Sequence, residues 1–276
     1  MPDADESPGD GSDIRQEQPG PTVLKLGGSV VTVKDEPETV DEEALAALSE
    51  TLAGALDSPE EDGGAADAGL VLVHGGGSFG HHHADRHGVT TTEGTHDPAA
   101  IGAIHEAMTA LDAAVLRALR GAGVPAVPVR PLSAAARDAH GDLSLATRPV
   151  RTMVGEGFVP VLHGDVVVHA GRGATICSGD ELVVALATDL DAERVGLCSA
   201  VPGVLDGSGA VVERIDRFDA VADALGESAA TDVTGGMAAK VRSLLDLRAP
   251  ASVFAADDLG AFLAGENPGT TVGYEE

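Results

Sequence analysis

Three lysines occur in the 276 residues, and each sits in or beside a glycine-rich segment. Lys25 lies in T-V-L-K-L-G-G-S, Lys34 in V-V-T-V-K-D-E, and Lys240 closes T-D-V-T-G-G-M-A-A-K. The other fourteen basic residues are Arg. A chain that avoids lysine elsewhere and keeps it here needs a compact ammonium on a flexible stem, a group suited to following a phosphate as it moves. Three strand-to-glycine-to-helix junctions carry the pattern: Lys25-Leu26-Gly27-Gly28-Ser29, His74 through Gly80, and Thr234-Gly235-Gly236-Met237. Glycine lets backbone N–H groups approach phosphate oxygens without a Cβ clash, and a following helix N-terminus adds a positive end. None of the three matches G-x-x-x-x-G-K-[ST], so this is not a P-loop. No G-x-G-x-x-G opens the first helix, which argues against a dinucleotide enzyme.

The elements that must position these groups read as an α/β pattern. Apolar β-rich runs alternate with alanine-rich helical stretches, which predicts a three-layer αβα sandwich with a mainly parallel central sheet. Strands are predicted over Thr22–Leu26, Leu70–Val73, Val124–Val129, Val159–His163, Arg194–Cys198 and Ser252–Ala255. A hairpin is predicted from Val166–Ala170 and Ala174–Ile176 across Gly171-Arg172-Gly173. Helices are predicted over Asp41–Leu56, from Asp97-Pro98 to about Gly121, over Gly179–Ala187 and over Gly235–Arg248. Asp97 is a good cap, with proline at the first helical position. With no internal repeat and no clear linker, residues 21–276 read as a single domain whose two halves share one sheet. Residues 1–20 read as a solvated acidic tail, and 58–69 as a loop of acid, glycine and proline.

Formal net charge is -28, from 45 acidic and 17 basic residues. That excludes generic binding to nucleic acid or an anionic membrane. Acidity, scarce lysine and 2% aromatics point to a protein solvated in concentrated salt, as in a haloarchaeal cytoplasm. At molar salt the Debye length falls to about 3 Å, so self-repulsion is screened. Disorder does not fit the body of the chain, where hydrophobic residues form organised runs and make up 43% of the total. No apolar run reaches about 18 residues, and the start lacks a basic-then-apolar signal pattern, so a cytoplasmic location is expected. Cys177 and Cys198 show no metal spacing and read as reduced structural thiols.

The chain resembles the amino acid kinase superfamily, and within it the isopentenyl phosphate kinases. The resemblance is carried by K-L-G-G-S at the first strand, H-G-G-G-S-F-G-H at 74–81 and D-V-T-G-G-M-x-x-K near the C-terminus. P-V-L-H-G-D at 160–165 and I-C-S-G-D at 176–180 agree with it. It covers about residues 22–276 and implies ATP-dependent phosphorylation of isopentenyl phosphate to isopentenyl diphosphate in the archaeal mevalonate route. It also implies Mg²⁺ held mainly by nucleotide phosphates, and a homodimer. Lys25, Lys34, His81, Asp180 and Lys240 would be the catalytic set. Lys25 would contact the ATP phosphates, with Gly27, Gly28 and Ser29 supplying donors. Lys34 would stabilise charge on the moving phosphoryl group, and Asp180 would orient the lysines. Gly76, Gly235, Gly236 and Lys240 would lie against nucleotide, while Gly75, Gly80, His81, Gly164 and Ser178 would hold the acceptor. The resemblance thus gives acceptor binding to the N-terminal half and nucleotide binding to the C-terminal half. The superfamily often carries T-D-x-D-G-V at its nucleotide edge. This chain has Ser199-Ala200-Val201-Pro202-Gly203-Val204, with neither acidic position.

His81-His82-His83 does not read as a metal site, because consecutive helical residues point about 100° apart. His82, His83 and His87 read as surface residues, and His163 as a strand-end core residue. The apolar stripe of the helix after Pro98 reads as core, with Ile104 or Met108 as candidates to line a pocket for the five-carbon chain that the resemblance implies. Two rival readings stay open: a kinase of the same fold with another phosphate, phosphonate, nucleotide or carboxylate acceptor, and a non-catalytic nucleotide-binding sensor. His81 disfavours carboxylate acceptors. Retention of Lys25, Lys34, Asp180 and Lys240 together disfavours the sensor.

Overall fold

The computed structural model describes residues 20–57, 68–222, 225 and 236–273. The predicted acidic tail, apart from Gly20, lies outside the described residues, as do Gly235 and most of the loop predicted over 58–69. In chain order the elements are β1 (Thr22–Leu26), α1 (Gly28–Val31), α2 (Glu42–Asp57), β2 (Leu70–His74), α3 (Gly77–His87), α4 (Pro98–Gly121), β3 (Ala126–Pro128), α5 (Pro131–Ala134), β4 (Ala135–Arg137) and β5 (Leu143–Leu145). They continue with α6 (Thr147–Gly155), β6 (Val159–His163), β7 (Asp165–His169), β8 (Gly173–Cys177), α7 (Gly179–Asp189), β9 (Arg194–Ser199), β10 (Arg214–Ile215), α8 (Gly236–Leu245), β11 (Ala251–Ala255), α9 (Leu259–Leu263) and β12 (Thr270–Val272).

One eight-stranded sheet runs in the order β10-β12-β11-β9-β1-β2-β6-β3. Among its described pairings only β11–β12 is antiparallel. Its strands are apolar on both faces, as a sheet covered on both sides requires. Leu24, Leu26, Leu70 and Leu72 pack with Leu45, Leu48 and Leu52 of α2, Met108 and Leu111 of α4, and Phe262 of α9. Val23, Val71, Val73, Val195 and Leu197 pack the other way, on Leu182 and Leu186 of α7 and Val241 and Leu244 of α8. Successive strand residues point to opposite faces. Lys25 therefore shares the α7 face with Val23, and His74 shares the α4 face with Leu72.

Helix α4 begins as its sequence predicts, with Asp97 Oδ1 accepting from Ala99 N at 2.9 Å and Pro98 following. It is long and apolar enough by length and composition to cross a membrane. Its apolar stripe is instead covered by α2, α3 and the sheet.

Two differences from the sequence reading stand out. The predicted strand 124–129 shrinks to Ala126–Pro128, because Pro125 and Pro128 lack the N–H that a ladder needs. The predicted hairpin, β7 with β8, forms, but it belongs to a second, four-stranded sheet ordered β5-β4-β7-β8. Strands β4 and β5 have three residues each, too few to show a period-2 pattern.

The main sheet aligns the carboxyl ends of its central strands. Leu26 lies beside His74 and Cys198, and His74 beside His163. The loops that follow are stitched together: Gly27 N donates to Cys198 O at 2.8 Å, Gly75 N to Leu26 O at 2.9 Å, and Gly164 N to His74 O at 3.1 Å. Open α/β sheets place their ligands in this position.

His163, at the end of β6, is fully buried, as its sequence position predicts. Burial, followed by the neighbouring His74, lowers its pKa to about 4. An unfolded histidine takes a proton near pH 6.5, so between about pH 6.5 and 4 the unfolded chain binds more protons than the native one. Stability therefore falls as pH drops through that window, by roughly 3 kcal/mol from this group. His163→Asn should remove this component. The loss of Tm between pH 7 and pH 4.5 in molar KCl should be smaller in the variant than in the wild type. An equal loss would contradict the assignment.

Candidate active site

Lys25 leaves the end of β1 on the α7 side. Its Nζ donates to Asp180 Oδ1 at 2.6 Å, with both side chains largely buried. Asp180 stands in the first turn of α7, where a carboxylate favours the helix dipole. That turn is fixed by a capping box. Ser178 Oγ accepts from Glu181 N at 3.2 Å, and Glu181 Oε2 accepts from Ser178 N at 2.8 Å. Arg137 Nη2 donates to the other Glu181 oxygen at 2.5 Å. Burial pushes the Asp180 carboxyl upward. The ammonium charges of Lys25 and Lys240 and the hydrogen bond from Lys25 outweigh that effect and hold it below the ordinary carboxylate range. Asp180 is thus an anion stabilised by the charges of two cations. Gly179 leaves room for the lysine stem, since a Cβ there would stand 3.2 Å from Lys25 Cε.

Lys34 lies on an exposed hairpin between α1 and α2. Thr32 bridges Val40, and Val33 N donates to Thr39 O at 3.0 Å. The hairpin is tied to α3. Thr32 Oγ1 accepts from Ser78 N at 3.1 Å, and Glu38 N donates to Ser78 O at 3.3 Å. His83 Nε2 lies 2.7 Å from Glu38 Oε1. The sequence reading placed His83 on the surface. It is half-buried, because the hairpin folds over it.

Two glycine loops face each other across the cleft floor. A Cβ on Gly28 would collide with the Gly77 backbone, and one on Gly75 with Gly28 N. Glycine at both positions permits the close approach. A Cβ on Gly80 would stand 2.7 Å from Met108 Sδ.

These parts enclose an open cleft of about 830 Å³. All three lysines of the chain line it. His81, Asp180, Gly27, Gly28, Ser29, Gly75, Gly76, Gly80, Gly164, Ser178 and Gly236 line it as well. Every site residue expected from sequence is therefore brought together except Gly235, which lies outside the described residues. Ile104 and Met108 reach the cleft from α4, and Ser199, Ala200 and Val201 form its edge where the acidic pair is missing. His82 also lines it, although it is exposed as expected.

Sequence reasoning did not find Thr32, Gly179 or the Asp165 carboxylate. Asp165 lines the cleft, and its Oδ2 lies 2.8 Å from His105 Nδ1. Burial raises its pKa, against the opposing pull of His105. The Gly164-Asp165 pair was visible, but nothing in the chain marks His105 as its partner. Among the described residues no three His, Cys, Asp or Glu side chains gather as a metal site. The cleft offers lysines and amides suited to phosphate oxygens instead.

A profile of the amino acid kinase family matches residues 20–248. The chain belongs to the amino acid kinase family. Among its relatives, the isopentenyl phosphate kinase of Haloferax volcanii is 60% identical over 91% of this chain and 97% of its own length. That of Methanocaldococcus jannaschii is 31% identical over 92% and 99%. A crystal structure of an isopentenyl phosphate kinase superposes with a TM-score of 0.68 at 26% identity, covering 91% of this chain and 99% of the other. The family's mainly parallel sheet with helices on both faces is the architecture seen here, and the family uses ATP.

The facing loops give a contrast in which glycine does different jobs. Gly28→Ala should force the loops apart, lower turnover at least tenfold and cost about 1–3 kcal/mol of stability. Gly102→Ala, in α4 with nothing within 4 Å of the added Cβ, should be neutral or stabilise by about 0.4–1 kcal/mol. Melting curves and steady-state rates of the two variants check this. Normal turnover by Gly28→Ala would contradict the cradle.

Proposed function

We propose that this chain transfers the γ-phosphoryl group of ATP to isopentenyl phosphate, giving isopentenyl diphosphate and ADP for isoprenoid biosynthesis. The observation that carries the reading is convergence. A chain of net charge -28 sends all of its lysines, with His81 and two facing glycine loops, into one cleft. The 60% identity to the Haloferax volcanii kinase supports the acceptor.

The second pKa of a phosphate monoester is near 6, so the acceptor is already largely ionised at neutral pH and needs no general base. An acceptor oxygen attacks the γ-phosphorus as the bond to the β-phosphate oxygen breaks, and ADP leaves. The difficulty lies in bringing two anions together and neutralising the charge of a loose transition state. Lys25, kept in place by Asp180, and Lys240 would hold nucleotide phosphates. Lys34 would follow the moving group from its hairpin. The amides of Gly28, Ser29 and Gly76, which donate to no backbone carbonyl among the described residues, and His81 would supply N–H donors. Ser178 Oγ accepts within the helix cap, which leaves its own O–H to donate. Mg²⁺, held mainly by nucleotide phosphates, would add charge neutralisation. Ile104 and Met108 would pack against the five-carbon chain. We further propose a homodimer acting in a salt-rich cytoplasm.

Purified protein in molar KCl with Mg²⁺-ATP should release ADP only when isopentenyl phosphate is added, with isopentenyl diphosphate as product. Lys34→Met should lower turnover at least about a hundredfold, near 2.7 kcal/mol in the barrier. No acceptor-dependent ADP from folded, ATP-binding protein would reject the reading. Near-normal turnover by Lys34→Met would reject the lysine's role.

A further inference from the structure

Beneath the glycine loop, on the α4 side of the sheet, lies a buried polar pair that the proposed reaction does not use. His74 ends β2 and Asp112 stands on α4, each side chain 1% exposed. Both Asp112 oxygens and His74 Nε2 have no hydrogen-bond partner among the described residues. His74 Nε2 and Asp112 Oδ1 are 3.6 Å apart. The other ring nitrogen, Nδ1, is 3.2 Å from Gly75 O. A carbonyl can only accept, so Nδ1 carries a proton and donates it. The next strand repeats the arrangement: His163, in register with His74, places its Nδ1 3.0 Å from Gly164 O.

Burying an acid and an imidazole is costly, and apolar groups of the same shape often serve stability as well or better. The pair therefore calls for another use, and peptide geometry supplies one. In a trans peptide the C=O and the following N–H point in opposite directions. A ring that holds Gly75 C=O toward the buried side turns Gly76 N–H away from it, toward the cleft that Gly76 lines. Gly76 N–H has no protein acceptor among the described residues.

We propose that His74, backed by Asp112, is a positioning residue that aims the Gly76 amide at a phosphate oxygen of a bound substrate. Asp112 faces the Nε2 edge of the ring at 3.6 Å. The proposal rests on the phosphoryl-transfer reading only in taking the ligand to be a phosphate.

Two amide substitutions separate aim from mere packing. His74→Asn places an N–H where Nδ1 was and can still hold Gly75 O. His74→Gln places its amide near the Nε2 position and cannot. In glycine-selective ¹⁵N spectra, ATP should shift the Gly76 amide resonance in the wild type and in His74→Asn, and not in His74→Gln. Acceptor-dependent kcat/KM should stay within about threefold of wild type for Asn and fall at least tenfold for Gln. Alike behaviour of the two variants in the Gly76 response, both normal or both impaired, would overturn the proposal. A wild type that shifts Gly76 with ATP but turns over no acceptor would sink the reaction reading and leave the role of His74 to be decided by the spectra.

Discussion

A phosphoryl-transfer site has to concentrate positive charge, and this chain must do so within a molecule of net charge -28. The Lys25–Asp180 contact reconciles the two demands. A free ammonium on an acidic protein would wander toward any surface carboxylate. At the end of β1 it meets the Asp180 carboxylate at 2.6 Å, fixed by a capped helix turn. Asp180 is itself kept ionised by the charges of Lys25 and Lys240, so the carboxylate that anchors Lys25 stays an anion. The contact is only 11% and 23% exposed at its two side chains, and salt screens such a pair far less than a surface one. High salt can therefore quench the repulsion of the acidic exterior without dissolving the clamp.

The fold serves that contact from both sides. The α7 and α8 layer brings Asp180 and Lys240 to one face of the sheet, and the α3 and α4 layer brings His81, Ile104 and Met108 to the other. Between them the facing loops of β1 and β2 come so close that side chains at Gly28 and Gly75 are excluded. A phosphate donor and a phosphate acceptor approaching from opposite faces would meet over amide groups rather than carboxylates. The Lys34 hairpin reaches over from the edge, and the contacts of Ser78 and His83 keep it there.

Much of this was legible in the chain because the signals are local. Lysine beside glycine and proline after Asp97 each declare a loop or cap within a few positions. The long strands and helices declare themselves by period. What could not be read depends on distant partners or on very short elements. His105 and Asp165 are sixty positions apart and meet only because α4 crosses the second sheet. His74 and Asp112 meet only across the packing of β2 on α4. The second sheet is built partly of three-residue strands, and His83 changes from surface to half-buried only when a hairpin from another segment folds over it.

The central claim is that Asp180 acts through Lys25, and a double-mutant cycle on turnover tests it most directly. Lys25→Met, Asp180→Asn and the double variant would be assayed in molar KCl, each checked for folding by its melting curve. If the two act as a unit, Asp180→Asn alone lowers kcat at least tenfold but costs less than about threefold more once Lys25 is gone. Losses that simply multiply would mean that Asp180 acts independently of Lys25, and the account would be wrong at its centre.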